Sequence, residues 1–150
     1  MTNFQRTASW LAACGKQRGN GDHFSIQAGV DIEEFVEGLA CLELDLPADA
    51  MNEASAAIAL LADVAVLLKR GAAKARIVEG KRAEFLDALC DREVTGNGLA
   101  YLAGFDKEAA DKAVLDSNDA KLVDGKAILA PGGKIMKPEG WTAPDLKNFV

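Results

Sequence analysis

Up to about residue 116, apolar residues recur at spacings of three and four, which is the period of an α-helix. The clearest stripe is formed by Leu60, Leu61, Val64, Leu67 and Leu68. The pattern predicts five helices: Phe4 to about Gln17, Ser25 to Asp45, Asn52 to Arg70, Lys74 to Leu102, and Asp106 to Asp116, the last with Asp106 as its N-cap.

The tail, residues 118–150, has a different pattern. Residues 121–128 place two apolar stretches around Asp124-Gly125, which is typical of a tight hairpin turn. Glycine and proline then favour an extended arm, at Pro131, Gly132, Gly133, Pro138 and Pro144. The sequence therefore predicts an all-α fold: a bundle of about four to five helices with a small C-terminal hairpin or extended arm, in a single domain over 1–150.

The composition agrees with a helical fold and disfavours two classes of partner, nucleic acids and membranes. Hydrophobic residues make up 49% of the chain and aromatic residues only 6%, which favours helices over a β-sandwich. The net charge of −6, without a basic block, disfavours a nucleic-acid duplex as partner. The N-terminus does not have a signal-peptide pattern, and the most apolar stretch, Ala54 to Leu68, is interrupted by Asp63 and shorter than a bilayer span. No membrane association is expected.

Three cysteines show neither the spacing of metal ligands nor the even count of a disulfide framework. Cys41 and Cys90 stand among apolar residues, so we expect both thiols to be buried. A reducing cytoplasm is the simplest compartment for such a chain.

Two apolar lines run along the second predicted helix. One is an ordinary core face, made of Ile32, Phe35, Val36, Leu39 and Leu42. The other contains Val30, Glu34, Glu37, Cys41 and Leu44. Glu34 and Glu37 thus occupy positions where a bundle helix usually carries leucine or isoleucine, and Glu33 lies on the same side as Glu37.

The fourth predicted helix repeats this arrangement. One apolar face has Phe85, Leu86 and Leu89. A second line follows the helical spacing through Ile77, Gly80, Glu84, Asp87, Asp91, Val94 and Gly98. Three acids therefore interrupt what would otherwise be an interior seam.

Buried carboxylates without partners are costly, and neither line carries Lys or Arg between its acids. If the two lines face each other, a divalent metal would satisfy them, and Mg²⁺ takes oxygen ligands while keeping waters for a substrate. Mn²⁺ is the alternative metal. The opposing interpretation is a solvated surface, which is the usual position of such acid pairs. Asp91 stays open between a metal ligand, an acceptor behind the ligands and an exposed side chain.

The motif Glu33-Glu34-Phe35-Val36-Glu37, followed by Glu84-Phe85-Leu86-Asp87, resembles the EExxE…ExxD pattern of the all-α nucleoside triphosphate pyrophosphohydrolases. The tail is similar to that of MazG-like and phosphoribosyl-ATP pyrophosphohydrolase-like proteins, many of them phage-encoded. The matching tail segments are residues 116–121, Asp124-Gly125, residues 133–138 and residues 144–146. The connection between Glu37 and Glu84 is longer than in compact members, which leaves subfamily and substrate open.

The resemblance implies Mg²⁺-dependent cleavage between the α- and β-phosphates, releasing a monophosphate and pyrophosphate. It implies that Glu34, Glu37, Glu84 and Asp87 bind the metal, while Glu33 orients or deprotonates the attacking water. It also implies a homodimer or homotetramer in the cytoplasm of a bacterium or of a phage-infected cell.

Four residues of the tail are candidates for contacts with the phosphates or sugar of a substrate: Asn118, Lys121, Lys134 and Lys137. Solvated lysines on a flexible arm are an equal alternative. Trp141 is expected to anchor the tail on the helices rather than to stack on a base. The alternative functions are a pyrophosphatase specific for dUTP or dCTP, and a protein that sequesters a nucleotide or a partner without catalysis.

Overall fold

The computed structural model describes residues 1–131 and 134–150. Its elements are helices α1 (Asn3–Ala13), α2 (Gly21–Leu39), α3 (Ala48–Lys69), α4 (Arg82–Ala103) and α5 (Lys107–Asp119), strands β1 (Leu122–Val123) and β2 (Lys126–Ala127), and a 3₁₀ turn at Lys147–Phe149. The predicted all-α class with a C-terminal hairpin is confirmed.

The chain forms two compact units. The hairpin unit is Arg18–Val78 and contains α2 and α3; the terminal unit joins Met1–Gln17 to Glu79–Val150 and contains the remaining elements. The expectation of a single domain over 1–150 stays a prediction.

In the hairpin unit, α2 and α3 lie very close together at Gly29. A Cβ atom built on Gly29 would lie 2.8 Å from the Ala65 carbonyl oxygen and 2.9 Å from the Leu68 Cβ. Ala65 and Leu68 are accordingly buried, whereas most other apolar residues of α3 are exposed. On α2 the small buried residues Ser25 and Gly29 share a helical face with Ile32, Val36 and Leu39 of the predicted core face, which are half-buried, whereas Phe35 of that predicted face is exposed.

Helix α2 begins and ends earlier than the sequence predicted. It begins at Gly21 because the Asn20 side chain caps it, accepting hydrogen bonds from the backbone N–H groups of Asp22 and His23. It ends at Leu39, so that Cys41 and Leu44 lie beyond the helix. The second apolar line predicted for this helix is therefore shorter than expected.

Helix α4 begins at Arg82 and not at Lys74. Gly71 and Gly80 have positive φ angles of 71° and 76°, which do not fit an α-helix. The chain between α3 and α4 is therefore non-helical at both of its ends. Between them, Ser25 accepts a 2.9 Å hydrogen bond from the backbone N–H of Ala75, which ties this segment to α2. The predicted line along the fourth helix consequently loses its first two members, because Ile77 and Gly80 precede α4.

In the terminal unit, polar contacts join α1 to α5. The Arg6 guanidinium pairs with Asp116 at 2.8 Å and with Asp119 at 2.5 Å. Lys112 and Arg6 together hold the pKa of Asp116 below its usual value. The Trp10 Nε1–H donates to the carbonyl oxygen of Asn118 at 2.9 Å, which satisfies a carbonyl in the last turn of α5.

Local capping and turn residues fix the start of α5 and the turn between β1 and β2. Asp106 caps α5 as predicted, accepting a 3.1 Å hydrogen bond from the Ala109 N–H. In the hairpin, Leu122 pairs with Ala127, and the turn residues Asp124 and Gly125 have φ of 51° and 74°. Two successive positive φ angles are those of a type I′ turn, which the Asp-Gly sequence favours.

The predicted arm contains a second antiparallel pairing. Leu129 bridges Ile135, and the N–H of Met136 donates to the carbonyl of Ile128 at 2.8 Å. Gly132 and Gly133, which belong to the predicted arm, lie outside the described residues.

The expected burial of the cysteines was wrong. Cys41 and Cys90 are exposed, whereas Cys14 is buried with 2% of its surface accessible. Cys41 is exposed because it lies beyond the end of α2, and Cys90 because it stands on a part of α4, residues 82–95, that is exposed on every side.

Helix α3 extends well beyond the apolar stretch seen in the sequence. It has 22 residues, and a window of mean hydropathy 1.6 makes it long and apolar enough to cross a membrane by length and composition. Only 11% of that window is buried. An apolar helix that contacts another protein chain would show the same properties.

Candidate metal- and phosphate-binding residues

Two of the three candidate acids on α2 face solvent. Glu34 and Glu37 are exposed, one helical turn apart. The sequence suggested that both occupy core-like positions; the structure corrects this, because the side of α2 that packs on α3 is set by Ser25 and Gly29. These carboxylates are therefore exposed to water and do not require a buried partner.

Glu33 is different, because it is half-buried beside α3. Its Oε1 atom accepts a hydrogen bond from the Lys69 ammonium group, in an ion pair that joins the two helices. Sequence reasoning missed Lys69, because the contact depends on how the last turn of α3 is set against the middle of α2.

The candidate acids on α4 are also exposed. Glu84 lies in the first turn of the helix, where the unpaired N–H groups favour a negative charge, and Asp87 and Asp91 follow on successive turns. Lys81 pairs with Glu84 at 2.9 Å, and this hydrogen bond lowers the pKa of the Glu84 carboxyl. Lys81 stands immediately before α4 and outside the line of Glu84, Asp87 and Asp91, which carries no Lys or Arg between its acids, as the sequence indicated.

The two sets of acids belong to different units, with Glu33, Glu34 and Glu37 in the hairpin unit and Glu84 and Asp87 in the terminal unit. Within the described part of either unit, no three His, Cys, Asp or Glu side chains are gathered as a metal site requires. Each helix on its own offers a pair of exposed carboxylates at a spacing of three residues, which can supply part of a Mg²⁺ coordination sphere.

Among the tail candidates, Lys121 and Lys137 come together at Trp141. Their Nζ atoms lie 5.1 Å and 4.3 Å from the centroid of the indole ring. Asn118 adjoins them, because its Oδ1 accepts a 2.8 Å hydrogen bond from Lys121. Burial, followed by the charge of Lys137, lowers the pKa of the Lys121 ammonium group. Lys134, the fourth candidate, is exposed on the arm.

Trp141 anchors the tail as predicted. Its Nε1–H donates to the Ser117 carbonyl oxygen at 2.9 Å, in the last turn of α5. The ring borders an open pocket of about 570 Å³, which is also lined by Asp116, Glu139 and Asp145. The pocket is acidic, whereas the two lysines give the cluster around the ring a positive charge.

No family model, no curated protein and no solved structure matches the chain.

Proposed function

We propose that the chain is a Mg²⁺-dependent nucleoside triphosphate pyrophosphohydrolase, which releases a nucleoside monophosphate and pyrophosphate. The observation that carries the proposal is the position of the EExxE and ExxD acids on exposed faces of α2 and α4. Among the described residues, no Lys or Arg forms an ion pair with Glu34, Glu37 or Asp87, so these carboxylates are available for a metal.

The chemistry of the reaction suits such residues. Phosphoryl transfer requires mainly positioning and the neutralisation of negative charge, which carboxylate-bound Mg²⁺ provides. Glu33 would act on the attacking water, and Lys69 would fix the position of its carboxylate. The resemblance of the motifs supplies the identity of the cleaved bond, between the α- and β-phosphates.

A second copy of the chain is the proposed partner, giving a homodimer or homotetramer. Support comes from α3, where Leu60, Leu61, Val64 and Leu67 are exposed although the neighbouring Ala65 and Leu68 are buried at the contact with α2. These side chains form an uncharged stripe at helical spacing, as in helices that pair with one another. Because each acidic helix offers only part of a metal site, assembly would bring further ligands within reach.

Assembly can be tested by sedimentation velocity on wild type and on Leu60→Glu. Leu60 is 65% exposed, and a charge there should dissociate the oligomer without disturbing the folded chain. The matched control is Val78→Lys, since Val78 is 68% exposed but lies outside the helices. A wild type that sediments as a monomer would contradict the proposed assembly.

The activity is tested by incubating the protein with Mg²⁺ and a panel of nucleoside triphosphates that includes dUTP and dCTP. Pyrophosphate should be released, and Glu37→Gln should abolish the release, whereas the exposed control Glu53→Gln should not change it. Failure to release pyrophosphate from any substrate would overturn the proposal, and orthophosphate as product would show that a different bond is cleaved. Turnover confined to dUTP or dCTP would identify the specific pyrophosphatase.

A further inference from the structure

Two ammonium groups of the terminal unit converge on one aromatic ring. The Nζ atoms of Lys121 and Lys137 lie within 5.1 Å and 4.3 Å of the Trp141 ring centroid. Neither forms an ion pair with a carboxylate in the part of the chain that the structure describes. Two like charges are therefore held close together, and neither is paired with a carboxylate.

Such an arrangement favours an anion. Each ammonium group is attracted by the face of the indole ring, but this attraction does not neutralise its charge. The two ammonium groups therefore still repel each other. The repulsion is felt by Lys121, whose pKa is lowered first by burial and then by Lys137. An anion between the two groups would remove that repulsion and form charge-assisted hydrogen bonds with both.

The local fold fixes the position of the cluster. Trp141 is held by its hydrogen bond to the Ser117 carbonyl, and Lys121 follows α5 directly. Asn118 is held through its carbonyl oxygen, which accepts a 2.9 Å hydrogen bond from the Trp10 Nε1–H. Because the Oδ1 of Asn118 accepts from Lys121, its amide nitrogen remains as a further donor.

We propose that Lys121 and Lys137, beside Trp141 and with the Asn118 amide as a further donor, form a binding site for a phosphate group, in particular for the paired phosphates of a pyrophosphate unit. Two lysines match an anion with at least two negative charges better than a singly charged one. That the site holds the phosphate chain of a substrate rests on the proposed function, whereas the binding of inorganic pyrophosphate does not.

Trp141 also borders the acidic pocket described above. Asp116, Glu139 and Asp145 line that pocket and repel a phosphate group. The anion should therefore contact the lysines and Asn118 and not enter that pocket.

The test uses inorganic pyrophosphate as the probe, titrated into the full chain in EDTA at low ionic strength and followed by calorimetry and by the indole N–H resonance of Trp141. We expect saturable binding that moves this resonance and weakens as salt is added. Lys121→Gln and Lys137→Gln should each lower the affinity about tenfold, as expected for the loss of one charge-assisted contact. The control is Lys126→Gln, which changes an exposed lysine of strand β2 and should bind as wild type does.

Two further variants keep the result interpretable. Lys137→Arg preserves the charge and should retain binding, which separates the charge of the side chain from its packing. Circular dichroism identifies any variant that fails to fold. Unchanged affinity in a folded Lys121→Gln/Lys137→Gln double variant, or no binding by wild type at millimolar pyrophosphate, would overturn the site. The titration is done without Mg²⁺, so it is independent of the activity assay. Pyrophosphate binding in a protein that shows no turnover in that assay would count against the proposed function alone. Turnover in a protein that does not bind pyrophosphate would count against this site alone.

Discussion

Lys69 in the last turn of α3 donates to Glu33 on α2, and this ion pair is part of the contact between the two helices of the hairpin unit. Their side chains are 31% and 36% exposed, so water screens the pair and its contribution to stability is small, about 1 kcal/mol or less. The pair holds the Glu33 carboxylate beside the end of α3, and a residue that acts on a water molecule, as proposed for Glu33, requires such positioning.

We therefore expect Glu33 and Lys69 to affect activity more than stability. Glu33→Gln should lower kcat by about 10²–10⁴-fold, the range for loss of a general base. Lys69→Met should lower kcat less and leave KM nearly unchanged, because it disturbs only the position of the carboxylate. Steady-state kinetics with pyrophosphate detection would show this, with Glu53→Gln as the control. Equal activity of wild type and Glu33→Gln would remove Glu33 from the mechanism.

Gly29 and Gly38 provide a matched pair on α2. A Cβ at Gly29 would be within 2.9 Å of Leu68, whereas nothing lies within 4 Å of one at Gly38. Gly29→Ala should lower the free energy of unfolding by about 1–3 kcal/mol, because α3 must move away. Gly38→Ala should be neutral or stabilise the protein by up to about 1 kcal/mol through reduced backbone entropy. Urea denaturation measures both, and a stabilising Gly29→Ala would contradict the observed helix contact.

Ser25 should contribute to stability far more than Ser55, although both hydroxyls donate to the backbone carbonyl four residues earlier. Ser25 is 1% exposed and also accepts from the Ala75 N–H, whereas Ser55 is exposed. Ser25→Ala should therefore cost about 1–3 kcal/mol, because the Ala75 N–H loses its partner. Ser55→Ala should change stability by about 0.5 kcal/mol or less. Hydrogen exchange at Ala75 would show whether the segment after α3 has been released.

The sequence predicted the elements whose signals are local. Asp106 as an N-cap and the Asp124-Gly125 turn were both predicted correctly, because each depends on the conformation of one or two residues. The start of α4 was not, because it depends on a distant hydrogen bond: Ser25 holds Ala75 in a non-helical segment in which the composition itself favours a helix.

In the candidate site, too, the sequence predicted the local features and missed those that depend on distant contacts. The spacing of Glu34 and Glu37 identified one face of a helix, but periodicity could not decide whether that face is buried. The contact made by Gly29 decided it, since a glycine in the middle of a helix does not appear in a hydrophobic pattern. The approach of Lys121 and Lys137 to Trp141 likewise depends on how the tail folds back on α5, which composition does not encode.

Metal binding should be visible as a change in stability. If the exposed acids hold Mg²⁺, saturating Mg²⁺ at about 100 times its Kd should stabilise the protein by about 2.7 kcal/mol relative to EDTA. The gain should be lost in Glu84→Gln and kept in Glu79→Gln, an exposed glutamate of the same unit. Because Lys81 lowers the pKa of Glu84, this ligand should stay ionised as the pH falls through the usual range of glutamate. Identical thermal shifts in both variants would exclude Glu84 as a ligand.

The three thiols should react at two different rates. Cys41 and Cys90 are exposed, whereas burial of Cys14 raises the pKa of its thiol and keeps it protonated at higher pH. A disulfide reagent at mildly alkaline pH should therefore modify two thiols quickly and the third at least about tenfold more slowly, since the buried thiol must first be exposed by local opening. The Cys41→Ser/Cys90→Ser variant should retain only the slow reaction, and denaturant should make it fast. Three equal rates in the native protein would contradict the packing of α1 described above.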